Sequence, residues 1–168
     1  MISVRKFEDA DAVFLAKFNE GTTEDLFNHW GGGRYYTLPL TAEQIINRIQ
    51  NTENTRYFAV ERDNIMIGSV ELDFIDWNLK ECSVCRFYIA EQYRNKGYGV
   101  LALKQLSEIA FSQLDMKKIK LSVFDFNTGA YKCYIKAGFE VTGEVIRPNG
   151  WKAIQMELTK KDYFRPKK

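Results

Sequence analysis

Apolar positions along this chain follow two rhythms, an alternation of period two that marks strands and a spacing of three and four that marks helices. Residues 2–7 alternate as a strand, and residues 9–18 set Ala12, Val13, Ala16 and Phe18 near helical spacing behind acidic Asp9 and Asp11. From 19 to 40 the rhythm lapses. That stretch holds Glu24, Asp25, His29, Trp30, three consecutive glycines and Tyr35-Tyr36, and reads as a loop carrying aromatic and acidic groups. Thr41-Ala-Glu-Gln44 is an N-cap and capping-box signal for a helix whose apolar face is Ile45, Ile46 and Ile49.

Two strands, 57–61 and 65–74, meet at the hairpin pair Asp63-Asn64, and a further strand spans 81–90. Leu103, Leu106, Ile109, Ala110 and Leu114 then give a helix that begins near Val100. A strand follows at 119–124. Asn127 is placed to cap a helix running to Ala137, which Gly138 terminates. The last two strands, 139–146 and 151–158, flank the turn pair Asn149-Gly150. Elements mixed in this order, antiparallel at first with a crossover at the centre, predict an α/β or α+β sheet covered by helices.

Composition narrows the class without naming a chemistry. The 168 residues are the length of one domain, and 45% hydrophobic with 27% charged residues is ordinary for a soluble globular protein. No apolar run approaches the roughly 20 residues that span a membrane, so a cytoplasmic location is the default expectation. Twenty-four basic against 22 acidic side chains leave a formal charge of +2, too small to imply nucleic-acid binding. Basic residues gather locally at Arg94 and Lys96, at Lys117, Lys118 and Lys120, and in the tail from 160 to 168. Cys82-x-x-Cys85 lies in a strand, where residues three apart face opposite ways, and neither a second pair nor a nearby histidine completes a metal site. Cys82, Cys85 and Cys133 therefore read as buried structural thiols, and His29, the only histidine, is the one place where a histidine base is possible.

The chemistry concentrates in Arg94-Asn95-Lys96-Gly97-Tyr98-Gly99, between an apolar strand and the helix that begins near Val100. Without Cβ atoms at Gly97 and Gly99 the backbone can turn sharply and aim several N–H groups at one spot, where the helix's unpaired donors also converge. Such a turn suits a phosphate. No Lys-Ser or Lys-Thr follows Gly99 and no third glycine completes G-x-G-x-x-G, which disfavours a nucleoside triphosphatase or a dinucleotide enzyme. The hexapeptide resembles the Q/R-x-x-G-x-G/A pattern of the GNAT superfamily of N-acetyltransferases. A second segment, Asn127-Thr-Gly-Ala-Tyr-Lys-Cys-Tyr134-Ile-Lys-Ala-Gly138-Phe139, resembles that superfamily's N-x-x-A-x-x-x-Y-x-x-x-G-F motif. One helix and one strand separate the two segments, in the family's order.

The resemblance covers about residues 80–146 and implies a GNAT-like fold over 1–168. That fold is a mixed, mainly antiparallel sheet with helices on both faces and a central cleft between splayed strands for coenzyme A. It implies acetyl transfer from acetyl-coenzyme A to a primary amine of a small molecule, protein or peptide by direct attack in a ternary complex, without a metal. The branch it resembles includes ribosomal-protein, polyamine and aminoglycoside acetyltransferases, and a homodimer is compatible with it. By the same resemblance Arg94, Asn95, Lys96, Gly97, Tyr98 and Gly99 hold the pyrophosphate, and backbone groups of Phe87, Tyr88, Ile89 and Asn127 meet the pantetheine. Tyr134 protonates the departing thiolate, and the 19–40 segment walls the acceptor site.

Some relatives carry a glutamate where this chain has Leu121-Ser122-Val123, and Ser122 cannot replace it. Glu71, Asp73 and Glu81 are the candidate bases, unless the amine arrives neutral and water takes its proton. Glu24, Asp25, Asp73 and Asp76 would attract a cationic acceptor, whereas Arg34 and Arg147 would hold a carboxylate. The competing reading is a catalytically idle domain of this family that binds acyl-coenzyme A as a sensor or partner module.

Overall fold

The computed structural model of the chain describes residues 1–166. Lys167 and Lys168, the end of the basic tail, lie outside the described residues. The alternating segments become β1 (Ile2–Lys6), β2 (Arg56–Arg62), β3 (Ile65–Asp76), β4 (Glu81–Ile89), β5 (Lys118–Phe124), β6 (Glu140–Ile146) and β7 (Lys152–Thr159). They form one sheet in the order β1-β2-β3-β4-β5-β7-β6, antiparallel throughout except between β4 and β5. Asp63 and Asn64 both take left-handed φ, 52° and 66°, as a two-residue hairpin between β2 and β3 requires.

Alternation along the strands gives the sheet two apolar faces. Phe58 and Val60 pack into one core, with α4 (Tyr98–Glu108) and α5 (Thr128–Ala137) through Leu103, Leu106 and Tyr134. Ala59, between them, faces the other core, built on α1 (Asp9–Phe18), α2 (Glu24–His29) and α3 (Ala42–Gln50) through Leu15, Phe27 and Ile45. The mixed sheet with helices on both faces is the architecture expected of this sequence. A last short helix, α6 (Lys160–Tyr163), follows β7. Among the described residues no helix is long and apolar enough to cross a membrane.

Local capping mostly follows the sequence. Thr41 Oγ1 accepts from the Gln44 backbone N–H at 3.3 Å and starts α3, but the Gln44 side chain does not complete the capping box. It instead bonds the backbone of Thr37 and Pro39, tying the preceding loop to the helix. The 19–40 stretch is less irregular than its composition implies, since Thr23 caps α2 and a short 3₁₀ turn covers Gly32–Arg34. Six residues are too few to display a helical period, so the burial of Phe27 is the only apolar trace of α2.

The feature that shapes the centre is a bulge in β4. Cys82 and Val84 face the α4/α5 core, and strict alternation would send Tyr88 the same way. Tyr88 instead packs in the α1–α3 core, and its hydroxyl donates to the Phe18 carbonyl at 3.1 Å. Arg86 has a φ of 46°, and the β3–β4 register shifts between Ser69 and Glu71, so one extra β4 residue is accommodated there. A bulge bends the strand that carries it. Beyond it β4 leaves β5: the two pair only from Glu81–Ser83 to Lys118–Lys120.

Candidate active site

The diverging β4 and β5 form a V, joined at Glu81–Ser83 and open beyond, and the glycine loop follows β4 at the open end. Asn95 (φ 58°) and Gly97 (φ 79°) are both left-handed, and α4 starts at Tyr98. The first amides of α4 lack acceptors inside the helix, and only at Leu101, whose N–H reaches the Gly97 carbonyl at 3.3 Å, does the ladder begin. Those free N–H groups at the helix's positive end make a cradle of the kind that suits an anion. The two glycines serve different needs, which corrects the expectation that both make the turn. Gly97 holds the positive φ with nothing near the position of a Cβ, whereas a Cβ on Gly99 would meet Cys133 Sγ at 3.0 Å and the Phe87 ring at 3.5 Å. Gly99 therefore lets α4 approach α5 and β4.

Alongside the open end of β4, walled by α1, α2, α5 and the glycine loop, lies a cavity of about 1380 Å³, larger than the roughly 300–1,000 Å³ of a drug-sized ligand site. Phe87, Tyr88, Ile89, Arg94, Asn95, Gly97, Tyr98, Gly99 and Asn127 all line it. Lys96 does not: its Nζ folds back onto the Gln92 carbonyl at 2.8 Å. Arg94 is partly spent on position, with Nε donating to the Ile89 carbonyl at 2.7 Å, and its guanidinium lies 5.6 Å from the Tyr88 ring centre. Past Ser83, no strand pairing among the described residues covers the β5-facing edge of β4. An elongated ligand with a diphosphate at one end and amides along its arm, coenzyme A, fits an N–H cradle that continues into an open strand edge.

A second cavity, about 910 Å³, adjoins the first, and His29, Trp30, Phe87, Asn127 and Ala130 line both. Tyr134 lines only the second. Its ring packs 6.3 Å from Phe87 and 6.0 Å from Phe139, and its hydroxyl has no hydrogen bond among the described residues. Burial pushes this phenol above its ordinary range, with Cys133 and Cys85 adding to the effect, so the group stays protonated and able to donate. Asn127 corrects a second expectation. Its Oδ1 accepts from the Ala130 N–H at 3.2 Å, its own N–H donates to the Phe124 carbonyl, and its carbonyl accepts from the Tyr131 N–H. The backbone expected to meet pantetheine is committed within the protein, although Asn127 lines both cavities.

The carboxylates singled out as bases are engaged elsewhere. Glu71 is buried, with Oε1 2.6 Å from Arg48 Nη1 and Oε2 2.6 Å from Arg86 Nε. Asp73 pairs with Arg86 Nη2 and accepts from Thr55 Oγ1 at 2.7 Å. Burial pushes the Glu71 carboxyl up while Arg86 and Arg48 pull it down. The Tyr35 ring caps the cluster, 4.0 Å from the Arg48 guanidinium and 4.7 Å from that of Arg86. Glu81 sits at the closed end of the V, paired with Lys120 and, at 3.6 Å, with Lys118. Neither glutamate lines either cavity.

His29, at the end of α2, is the titratable group the geometry puts at the junction instead. Its Nε2 lies 3.2 Å from Asp25 Oδ2, which favours a proton on Nε2 and leaves Nδ1 as an acceptor. Its ring packs 4.9 Å from Phe126 and 6.0 Å from Trp151. The sequence allowed a histidine base only at His29 and gave no reason to prefer it, since its contacts to Phe126 and Trp151 are long-range. Arg86 had a fainter signal, a lone charge inside the apolar run from Val84 to Ile89. Cys82, Cys85 and Cys133 are free, and burial pushes all three thiols up, to about 12, 11 and 11 respectively.

A family model described as "Acetyltransferase (GNAT) family" matches residues 17–139. Among curated relatives, the spermine/spermidine N(1)-acetyltransferase of Bacillus subtilis (strain 168) is 38% identical over 73 residues, 44% of this chain and 47% of that protein. The match thus spans about half the length of that relative. The spermidine N(1)-acetyltransferase of Escherichia coli (strain K12) is 31% identical over 145 residues, covering 86% of this chain and 76% of that protein. The crystal structure of spermidine N-acetyltransferase from Vibrio cholerae in complex with CoA and spermine superposes with a TM-score of 0.82 at 22% identity, covering 98% of both chains. With its family model matched across most of its length and its fold shared with a solved relative, the chain belongs to the GNAT acetyltransferase family.

Proposed function

We propose that the protein is an acetyl-coenzyme A-dependent N-acetyltransferase acting on a small-molecule amine. One observation carries this reading: an N–H cradle at Gly97–Val100 and an unpaired strand edge at Phe87–Ile89 lead to the unbonded hydroxyl of Tyr134. The relatives' names support the reaction class, and their polyamine acceptors set the first compounds to try. Bound coenzyme supplies the thioester. The chain's own groups then orient and exchange protons. The cradle amides and Arg94 hold the diphosphate, and the β4 edge holds the amide arm. His29 Nδ1 takes the ammonium proton at the cavity junction, and Tyr134 donates its hydroxyl proton to the leaving thiolate. We extend the proposal to residues 1–168 as one acetyltransferase domain, to a cytoplasmic setting, and to a homodimer, for which the exposed Val141, Val145 and Ile146 of β6 offer an apolar surface.

Tyr134→Phe tests the reading, because it removes the hydroxyl and keeps the packed ring. Positioned acid catalysis is worth about 10² to 10⁴ in rate, roughly 3 to 5 kcal/mol of barrier, so kcat falls by that factor while the acceptor KM changes little. Steady-state thiol release with a productive amine measures both. A folded variant within a few-fold of wild type when chemistry limits turnover assigns Tyr134 to the core and thiolate protonation to water.

A further inference from the structure

The charge of the second cavity selects the acceptor. Five basic side chains line it, His29, Arg34, Arg86, Lys120 and Arg147, against one carboxylate, Glu157. Most of this charge is already cancelled. Arg86 pairs with Glu71 and Asp73, Lys120 with Glu81, and Glu157 with Lys118 at 3.4 Å, while His29, as the proposed base, brings no charge to the resting site. Arg34 and Arg147 remain, without a carboxylate partner among the described residues.

Both arginines are exposed; neighbouring aromatic groups hold the Arg34 side chain, and the turn fixes the backbone of Arg147. Arg34 Nε donates to the Tyr35 hydroxyl at 3.2 Å, and its guanidinium lies 5.5 Å from the centres of the Tyr35 and Phe74 rings, which leaves its two terminal nitrogens to present a fork. Arg147 sits at the base of the β6–β7 turn, its N–H bonded to the Trp151 carbonyl and its carbonyl to the Gly150 N–H, both at 2.8 Å. The acidic residues that would draw a cation are absent from this cavity. Asp73 is buried under Arg48 and Arg86, Asp76 accepts from the N–H groups of Asn78 and Leu79, and Glu24 and Asp25 lie on α2 outside its lining.

We infer that the acceptor is a small primary amine that carries one or two carboxylates, of the amino-acid class, and not a polycation. The inference rests on the acetyltransferase reading and supplies its substrate class. Arg34 and Arg147 bind the carboxylates through paired N–H donors while the amine reaches His29 and Tyr134. A polyamine, cationic along its length, meets two uncompensated guanidinium groups and no free carboxylate.

The test is a panel of glutamate, aspartate, β-alanine and γ-aminobutyrate against putrescine and spermidine, followed by thiol release at fixed acetyl-coenzyme A and, separately, by calorimetric binding in the presence of coenzyme A. The expected result is kcat/KM at least tenfold higher for an amino-carboxylate than for spermidine. Arg147→Gln and Arg34→Gln each raise the amino-carboxylate KM at least tenfold with a smaller change in kcat, and Arg147→Lys recovers part of the loss. Spermidine turned over faster than every amino-carboxylate overturns the inference and leaves the acetyltransferase reading intact. Binding of amino-carboxylates that depends on the two arginines, without thiol release, upholds the inference and removes the acetyltransferase reading. Absence of both binding and turnover across the amino-carboxylates overturns the inference.

Discussion

The two ends of the β4–β5 seam begin from similar sequence and do opposite things. At the closed end Glu81, Cys82 and Ser83 pair in parallel with Lys118, Ile119 and Lys120, and the charges of Glu81, Lys118, Lys120 and Glu157 lie across the join near solvent. At the open end the strand is no less apolar, yet Phe87, Tyr88 and Ile89 face a cavity and no neighbouring strand on that side. Apolar content does not separate the two halves. What separates them is buried charge: the bulge at Arg86 turns β4 away from β5, and Glu71 and Asp73, themselves shared with Arg48, hold the guanidinium that occupies it. A strand can thus seal a sheet with one half and offer a ligand its backbone with the other.

The largest way to break this contrast is to remove the charge that holds the bend. Arg86→Met leaves Glu71 and Asp73 in the interior with Arg48 alone, and stranding part of a buried ion cluster costs about 3–5 kcal/mol. Urea unfolding should show that loss, and acetyl-coenzyme A binding by calorimetry should weaken in the fraction that stays folded. A variant within about 1 kcal/mol of wild type and with unchanged affinity would mean that the bulge stands without its ion cluster.

Why the sequence discloses one of these features and hides the other follows from the range of the interactions. The cradle is local: Asn95, Gly97 and the first turn of α4 lie within a few residues, so the spacing of the glycines conveys the chemistry. The placement of Tyr134 was legible for the same reason, on a helix bounded by the Asn127 cap and left-handed Gly138. The Arg86 bulge depends on a register with β3 and on Arg48, 38 positions earlier in the chain, and no periodicity encodes such a meeting. Glu71 and Glu81 looked like bases because a carboxylate on a strand reveals its charge and not its partners. The role of Gly99 was misread likewise, since the atom that forbids its side chain, Cys133 Sγ, belongs to the next helix.

Taken separately, the two glycines sharpen the account of the open end. Gly97→Val places a β-branched residue at a φ of 79°, a strain of about 1–3 kcal/mol, and distorts the cradle. Gly99→Val leaves a helical backbone but drives a side chain into Cys133 and Phe87. Hydrogen bonds to a charged group contribute about 1.5–3 kcal/mol each, so misplacing one cradle N–H weakens acetyl-coenzyme A binding about tenfold or more in either variant. The rescue differs. Cys133→Ala removes the sulfur and should restore much of the affinity of Gly99→Val and none of that of Gly97→Val. Equal rescue of both, read by calorimetry, would mean that the glycines share one role after all.

The smallest effect is expected at the closed end, where Glu81→Gln removes a carboxylate that Lys120 and Lys118 hold near the surface. Exposed pairs are worth about 0–1 kcal/mol and weaken with salt, so the loss at neutral pH should lie in that range and shrink further at 1 M salt. Its pH dependence has a definite sign. The hydrogen bond from Lys120 leads the effects that lower the Glu81 carboxyl from its ordinary 4.5, so its contribution is complete above pH 4.5 and disappears as the pH falls through the lower folded value. Wild type and variant should differ at pH 7 and converge in acid once the pH has fallen through the lowered folded value. Because Glu81 lines neither cavity, kcat should stay within about twofold of wild type, an amount too small for a lost proton-transfer group. A drop of a hundredfold with the pH profile of a missing base would instead return Glu81 to the chemistry, and with it the closed end of the seam to the active site.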